Sequence, residues 1–416
     1  MKHLREFTFA LAASTFVAGA ATADDTELSA IGLSFSDGAL TNLLSDAAAN
    51  TGGVSIETEL LPFGQLFSAI EVRLQARNEN PDLFYVDGPL TASYTVRGHL
   101  APLDEILPNA SEIYTSAALQ QGTVDGKLMS VPVESSTVVM LVNNALFEQA
   151  GIDAPTNDPD DRWTWEQVAD AGKTISALGE DTWGFNFHFG DSPYMALVMP
   201  QSKGATLIGE DGVTATGYVN SPEFIEAISA YSALYSEGIA PAGMYDYSLA
   251  LELFLNGKVG MFAGVVSDAV AASKRDGLDF TVAPLPYFEG GTPVTPTGSW
   301  HIGINPRTEH PEEAALLVQT LAQPEFVAAY FEARANPPVL NSVWDSLSTQ
   351  MDDPLWTLAR YEINNTAVAR PSIGGWLEYD SILRNALREI QGGADVEERL
   401  NAAAAEMDRE LQKYKK

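Results

Sequence analysis

Acidic, hydroxyl and aromatic side chains follow the predicted strands of this chain, where a folded sheet can present them to a ligand. Ser36 and Asp37 come at the end of an apolar strand at 31–35, and Asp87 follows a strand that contains Tyr85. Ligands of parallel sheets sit beyond the carboxyl ends of the strands. These four residues can exchange hydrogen bonds there, and the alternatives are a solvated turn aspartate at Asp87 and a buried tyrosine at Tyr85.

The side chains that the sequence lacks exclude several kinds of site. The chain has no cysteine, which removes disulfides, cysteine nucleophiles, iron–sulfur clusters and thiolate zinc sites together. Its five histidines include no pair at the i, i+4 spacing of a helical zinc motif. We therefore expect no catalytic set, no metal site and no cofactor.

Charge and composition limit the classes of partner. The 416 residues carry 56 Asp and Glu against 23 Lys and Arg, a net charge of -33. A field of this sign repels phosphate backbones and anionic lipids, which argues against a nucleic-acid or membrane-surface partner. The 45% of hydrophobic residues suffices for folded cores, and the length predicts two or three domains.

Strands and helices alternate along the first part of the chain. After the first strand come a helix at 40–50, a strand at 54–60, a helix at 65–77 and a strand at 82–86. This order predicts a parallel sheet with crossover helices, and the whole chain is assigned to the α/β class.

Later segments carry local signals for turns and helix ends. Asp125-Gly126 predicts a hairpin turn, Thr164 has capping-box spacing with Gln167, and Ser221-Pro222 predicts a helix start. Two further strands are predicted, one at 136–143 and one at 300–304 that begins at its tryptophan.

Three more candidates come from the pattern of the second half. Asn186 and His188 alternate with phenylalanines, which places both on one strand face, turned either to solvent or to a cleft. Gly264 is either a turn glycine or a place where the backbone approaches a ligand closely.

Short motifs occur in order along nearly the whole chain after the first strands. They are 126–128 leading to 131–136 and 141–147, then 163–166 with 183–185, 256–261, 298–305 with 310–315, and 369–371 with Tyr379 and 393–397. The ordered set resembles ABC-transporter periplasmic solute-binding proteins of the maltose-binding-like, extracellular sugar-binding family. The chain departs from that pattern at 36–38, where many members have an aromatic residue, and after Pro371.

The resemblance implies a two-lobed periplasmic-binding-protein fold in which crossover hinge strands join the lobes. Each lobe is expected to be a mainly parallel sheet flanked by helices. The expected lobes are 24–133 with 298–342, and 134–297 with 343–416. The function implied is that of a periplasmic receptor, not an enzyme, that binds a carbohydrate between the lobes and delivers it to ABC permease subunits. A monomer without a membrane anchor is expected.

The resemblance also implies binding residues at the two crossovers and in the C-terminal block. Glu134, Ser135 and Ser136 lie at the first crossover, where hinge hydrogen bonding is the alternative role. Trp300 lies at the second, where core packing is the alternative. Arg370 either holds a ligand hydroxyl or forms a structural ion pair, and either Trp376 or Tyr379 stacks on the ligand. The complete candidate set is Ser36, Asp37, Tyr85, Asp87, Glu134, Ser135, Ser136, Asn186, His188, Gly264, Trp300, Arg370, Trp376 and Tyr379.

Two alternative functions stay open at this point. An exported sugar-active hydrolase would need two carboxylates about 5 to 9.5 Å apart across the scissile bond. The same fold could instead bind a polyamine or a phosphorylated polyol, and a phosphorylated ligand would need clustered Arg or Lys side chains.

The first 23 residues have the layout of a secretory signal peptide. Lys2 and Arg5 precede an apolar run at 7–21, and Ala21-Thr22-Ala23 fits the cleavage pattern. We expect N-terminal sequencing of the exported protein to begin at Asp24. Periplasmic protein that retained Met1 would contradict this assignment.

Overall fold

The computed structural model describes residues 25–34, 38–243, 246–347 and 353–415. The predicted signal peptide and the candidates Ser36 and Asp37 lie outside the described residues. The strands are β1 Thr26–Leu33, β2 Val54–Leu61, β3 Leu83–Asp87, β4 Thr123–Val124, β5 Lys127–Leu128, β6 Val131–Asn143, β7 Trp183–Phe187, β8 Val259–Val265, β9 Phe280–Ala283, β10 Thr295–Ile304 and β11 Ala367–Ala369.

Helices account for most of the remaining described chain. They are α1 Ala39–Thr51, α2 Phe63–Gln75, α3 Leu90–Val96, α4 Ala110–Ile113, α5 Ser116–Gly122, α6 Asn144–Ala150, α7 Trp165–Ser176, α8 Pro193–Ala196, α9 Val198–Ser202, α10 Pro222–Ser236, α11 Tyr247–Leu255, α12 Val266–Ser273, α13 Pro311–Leu321, α14 Pro324–Arg334, α15 Asn341–Ser346, α16 Pro354–Asn365, α17 Trp376–Gln391 and α18 Val396–Leu411. Over the described ranges, no helix combines the length and apolar character that a membrane span requires.

Local sequence signals predicted several element ends correctly. The Thr164 hydroxyl accepts from the backbone N–H of Gln167, whose side chain accepts in return, so the capping box at α7 is confirmed. Ser221 caps α10 in the same way, with proline at the first helical position. Asp125 and Gly126 both have positive φ and turn β4 into β5, as the hairpin prediction required.

Nine of the described strands form one sheet with the order β2-β1-β3-β10-β6-β8-β7, and β4 and β5 form a separate two-stranded sheet. β11 pairs with β10, and β9 pairs with β6. The strands of the first part of the chain run parallel, β1 with β2 and with β3, which confirms the strand–helix–strand reading. The α/β class is therefore confirmed.

Antiparallel pairs occur where the two crossover strands, β6 and β10, join the rest of the sheet. β6 pairs antiparallel with β10, β8 and β9, and β10 pairs antiparallel with β3. The physical reason is that β6 carries the chain from one lobe to the other and β10 carries it back. Because two such crossovers lie side by side in opposite directions, the sheet that they join is necessarily mixed.

Both crossover strands are longer than the sequence predicted. β6 is one strand of 13 residues rather than a separate strand at 136–143, because its polar centre stays paired with β10. β10 begins at Thr295, so the placement of Trp300 at the first residue of its strand is wrong. The segment at 295–299 lacks an apolar pattern and becomes a strand because β6 and β11 flank it. The lobe boundaries at 133/134 and 297/298 fall inside these strands and stay predictions.

A buried ion pair fixes the start of β10. The Glu362 carboxylate is fully buried at the end of α16 and accepts from Arg162 at 2.5 Å and from the Thr295 hydroxyl at 2.5 Å. Arg162 also donates to the Leu285 carbonyl at 2.6 Å. This network holds the first residue of β10 against α16.

We expect Glu362→Ala to lower the free energy of unfolding by about 3–5 kcal/mol, because it leaves the Arg162 guanidinium buried without its carboxylate. Chemical denaturation measures this loss. Glu237→Ala is the matched control, since Glu237 pairs with Lys173 at 2.7 Å on the exposed surface and its removal should change stability far less. Equal losses for the two variants would contradict the assigned role.

Candidate functional site

Two strands pair with the same edge of β10 and leave a gap between their ends. β6 occupies one edge of β10, and on the other edge β3 and β11 approach from opposite ends. β3 ends with Asp87 opposite Trp300, and β11 ends with Ala369 opposite Thr297. The residues that follow the two strand ends therefore face each other across Gly298.

Asp87 and Arg370 close this gap with a two-pronged ion pair. The terminal nitrogens of Arg370 donate to the two oxygens of Asp87 at 2.8 and 2.6 Å. Burial by itself would lower the pKa of Arg370, but the Asp87 carboxylate raises it above its usual value, so the guanidinium stays charged. The rings of Tyr194 and Trp376 flank the guanidinium carbon, with centroids at 5.1 and 5.8 Å.

Hydroxyl groups lie beside this ion pair. Ser136 is the one residue of β6 that is not buried, and its hydroxyl is 2.9 Å from that of Tyr194. Burial raises the pKa of Tyr194 to about 12, so its hydroxyl keeps its proton at neutral pH. A side chain at Gly298 would come within 2.8 Å of the Ser136 hydroxyl, which explains the glycine at this position.

Trp300 is half-buried, and two aromatic rings lie parallel to its own ring. Its ring lies parallel to that of Tyr85, with centroids 4.7 Å apart, and parallel to that of Phe67 on α2 at 6.3 Å. The pairing of β10 with β6 shifts register next to Trp300, with Val133 as the extra residue. Such bulges redirect side chains and are common beside functional sites.

The rings around Trp300 extend from one lobe to the other. Phe63 of α2 stands edge-on to Trp300 and stacks on Phe189, which follows β7, at 6.3 Å. The ring centroids of Phe189 and Tyr247 are 5.5 Å apart. Phe63 and Tyr247 are 44% and 49% exposed, so the group presents apolar surface to an incoming ligand. We call this set the aromatic cluster: Phe63, Phe67, Tyr85, Phe189, Tyr247 and Trp300.

Glu134 and Ser135 take part in hydrogen bonds within the protein. Glu134 is buried and accepts from Tyr85 at 3.2 Å and from the Asn336 amide at 3.1 Å. Burial raises the pKa of Glu134. Ser135 donates to the Gly298 carbonyl at 3.2 Å. This arrangement corresponds to the hinge hydrogen bonding considered as the alternative role for these residues.

Asn186 and His188 are both buried, although their alternation with phenylalanines predicted a face turned to solvent or to a cleft. Asn186 is fully buried and accepts from the next backbone N–H at 2.9 Å. His188 follows β7 and places its ring 5.4 Å from Tyr247, with its Nδ1 2.6 Å from the Asp268 carboxylate. Gly264 lies within β8, where an added Cβ would come within 2.8 Å of Asp268.

Trp376 and Tyr379 make different contacts. Tyr379 is fully buried and donates to the Leu207 carbonyl at 3.0 Å. Trp376 stacks on Tyr379 at 5.4 Å and also flanks the guanidinium of Arg370. Of the two rings, that of Trp376 is therefore the nearer neighbour of the ion pair.

A cavity of about 420 Å³ opens beside the ion pair. Gln121 of α5, Gln201 of α9 and the backbone at Gly88 are among the residues that line it, together with Arg370. Amide groups from helices on both sides can exchange hydrogen bonds with hydroxyls. Within the described residues, no group of three or more acidic or histidine side chains could hold a metal ion.

Sequence reasoning missed several residues of this region. They are Tyr194 and four members of the aromatic cluster, Phe63, Phe67, Phe189 and Tyr247. Tyr194 had a signal, since Ser192-Pro193 marks a helix start directly after β7, and Ser192 caps it. The four cluster residues had none, because they are brought together only by the packing of distant segments.

Comparison with known proteins supports the same architecture. A family described as "Bacterial extracellular solute-binding protein" matches residues 37–328. The chain belongs to this family. Its members are binding proteins rather than enzymes, and the predicted family and two-lobed fold are confirmed.

Individual relatives agree with this family. A protein of Brucella abortus (strain 2308), named as a binding protein, is 26% identical over 88% of each chain. The sn-glycerol-3-phosphate-binding periplasmic protein UgpB of Agrobacterium fabrum is 27% identical over 47% of this chain and 46% of its own. Among solved structures, the GacH receptor of Streptomyces glaucescens, described unliganded and with acarbose, superposes with a TM-score of 0.81 at 20% identity, over 94% of this chain and 100% of that one.

We expect Trp300→Ala to weaken ligand binding by about ten- to a hundredfold, because stacking on an aromatic ring is worth about 1–3 kcal/mol. Calorimetric titration with a solute that the protein binds measures the change in affinity. Thermal melting of the ligand-free protein measures the change in stability.

Trp163→Ala is the matched control for this prediction. Trp163 is also half-buried, and it packs on Phe147 at 6.0 Å, away from the aromatic cluster. Both variants should lose stability, but only Trp300→Ala should lose affinity. Unchanged affinity in Trp300→Ala with a large drop in melting temperature would show that Trp300 only packs.

Proposed function

We propose that this protein is a periplasmic receptor that binds an uncharged, hydroxyl-rich ligand, a carbohydrate or polyol, between its lobes and delivers it to ABC permease subunits. The observation that carries the proposal is the pairing of the half-buried Trp300 with Asp87 of the Asp87–Arg370 pair, while Ser136 pairs with Gly298, two residues before Trp300 on the same strand. An apolar ring and polar edges then meet at one point of the cleft.

A sugar offers two kinds of surface, and the site has a counterpart for each. The apolar C–H face of the ring packs on an aromatic side chain such as Trp300. Ligand hydroxyls require donors and acceptors, which Ser136, Tyr194 and the outer lone pairs of Asp87 supply. Closure of the lobes then excludes water and strengthens these hydrogen bonds.

The relatives favour this ligand class. The GacH receptor, which shares the fold over nearly the whole chain, is described in complex with acarbose and in comparison with a maltose binding protein. UgpB supports a phosphorylated polyol instead, but it matches less than half of this chain. The ion pair also argues against a polyamine, because Arg370 already neutralises Asp87.

The remaining parts of the proposal concern location and assembly. Membership of an extracellular solute-binding family agrees with export into the periplasm, and a free protein is the form that can shuttle ligand to a permease. We propose a monomer without a membrane anchor. An exported hydrolase is the alternative from another class, and the family description argues against it.

A thermal-shift screen against monosaccharides, disaccharides and polyols tests the proposal. A ligand at 100 times its dissociation constant should stabilise the protein by about 2.7 kcal/mol, which raises the melting temperature measurably. The same ligand should compact the protein in small-angle X-ray scattering, because the lobes close around it.

Two results would contradict the proposal. The first is the absence of a shift with every neutral carbohydrate and polyol, together with a clear shift for sn-glycerol 3-phosphate or a polyamine. The second is the release of smaller sugars from an oligosaccharide incubated with the protein, detected by chromatography, which would indicate a hydrolase.

A further inference from the structure

Arg370 is a positive group at the junction of the lobes, and its charge is matched by Asp87. Both terminal nitrogens donate to Asp87, at 2.8 and 2.6 Å, and the rings of Tyr194 and Trp376 flank the guanidinium. The Nε of Arg370 has no hydrogen-bond partner among the described residues. Together, the guanidinium and the Asp87 carboxylate present no net charge to an incoming ligand.

Within the described part of the chain, the neighbouring Arg384 does not supply a free cation either. Asp380 also faces Arg370, and burial raises its pKa against the pull of Arg384 and Arg370. Arg384 in turn lies 3.1 Å from Asp380 and 3.5 Å from Asp191. An anion entering the cleft would meet carboxylates that already hold these arginines.

We propose that Asp87 sets the charge selectivity of the cleft: by occupying Arg370, it makes the site accept uncharged hydroxyl-rich ligands and reject ligands that carry a phosphate. A phosphate is best bound by two parallel N–H donors of a guanidinium, and here a carboxylate occupies the pair on the two terminal nitrogens. Displacing that carboxylate would leave it largely buried and unpaired, which is strongly unfavourable. The inference rests on the proposed function, because it assigns the ligand class of the same cleft.

Asp87→Asn tests this role, since it keeps the shape of the side chain and removes its charge. Calorimetric titration of the full mature protein would use sn-glycerol 3-phosphate, with glycerol as its uncharged counterpart. The unsubstituted protein should show no binding of the phosphate ester at millimolar concentration. The variant should bind it about tenfold or more tightly, a change of about 1.4 kcal/mol. The double variant Asp87→Asn, Arg370→Met should lose that gain.

Asp345→Asn is the matched control. Asp345 forms an exposed pair with Arg360 at 3.2 Å, and its substitution changes the net charge by the same amount. It should leave the affinity for sn-glycerol 3-phosphate unchanged, because its carboxylate does not hold Arg370. An equal gain in this control would overturn the proposal, since the effect would then be one of overall charge.

Other results test the role of Asp87 independently of whether the protein binds a carbohydrate. Tight binding of sn-glycerol 3-phosphate by the unsubstituted protein, or a folded Asp87→Asn without a gain, would overturn it even if carbohydrates bind. A gain confined to Asp87→Asn would support it even if the screened carbohydrates fail. Asp87→Ser serves as a second variant, with melting curves to establish folding. If neither variant folds, the pair is structural and the proposal fails.

Discussion

The antiparallel pairing of β6 and β10 through the junction of the lobes is the constraint on which the rest of the structure depends. Because β6 occupies one edge of β10 over residues 297–302, β3 and β11 must share the other edge and end opposite each other. That geometry places Asp87 and Arg370 within bonding distance although 283 residues separate them. It also places Trp300 where strands of both lobes meet.

The polar groups within these strands have two different roles, and the buried groups differ in role from the exposed one. Glu134 and Ser135 are buried and hold β6 to its neighbours. Ser136, the next residue, is partly exposed and faces Tyr194. A polar stretch inside an otherwise apolar strand therefore serves both to fasten the hinge and to present a hydroxyl to the cleft.

Local features of the fold could be predicted from the sequence, and long-range ones could not. The Thr164 capping box and the Asp125-Gly126 turn depend on a few adjacent residues, so their patterns sufficed. The first half of β10 has no apolar signal, and its strand character comes from partners at 135–137 and 367–369. For Arg370, the sequence offered an ion pair but gave no means of finding its partner. The contact of Phe63 with Phe189 likewise depends on how the two lobes pack.

The central claim is that a neutral, hydroxyl-rich ligand binds where the aromatic cluster meets the Asp87–Arg370 pair. A crystal structure of the protein with a carbohydrate or polyol selected by screening tests it most directly. The account predicts a ligand between the lobes, with an apolar face against Trp300 and hydroxyls on Ser136, Tyr194 or Asp87, while Arg370 stays paired with Asp87. A ligand bound away from Trp300, or an anionic group seated on Arg370 in place of the Asp87 carboxylate, would contradict it.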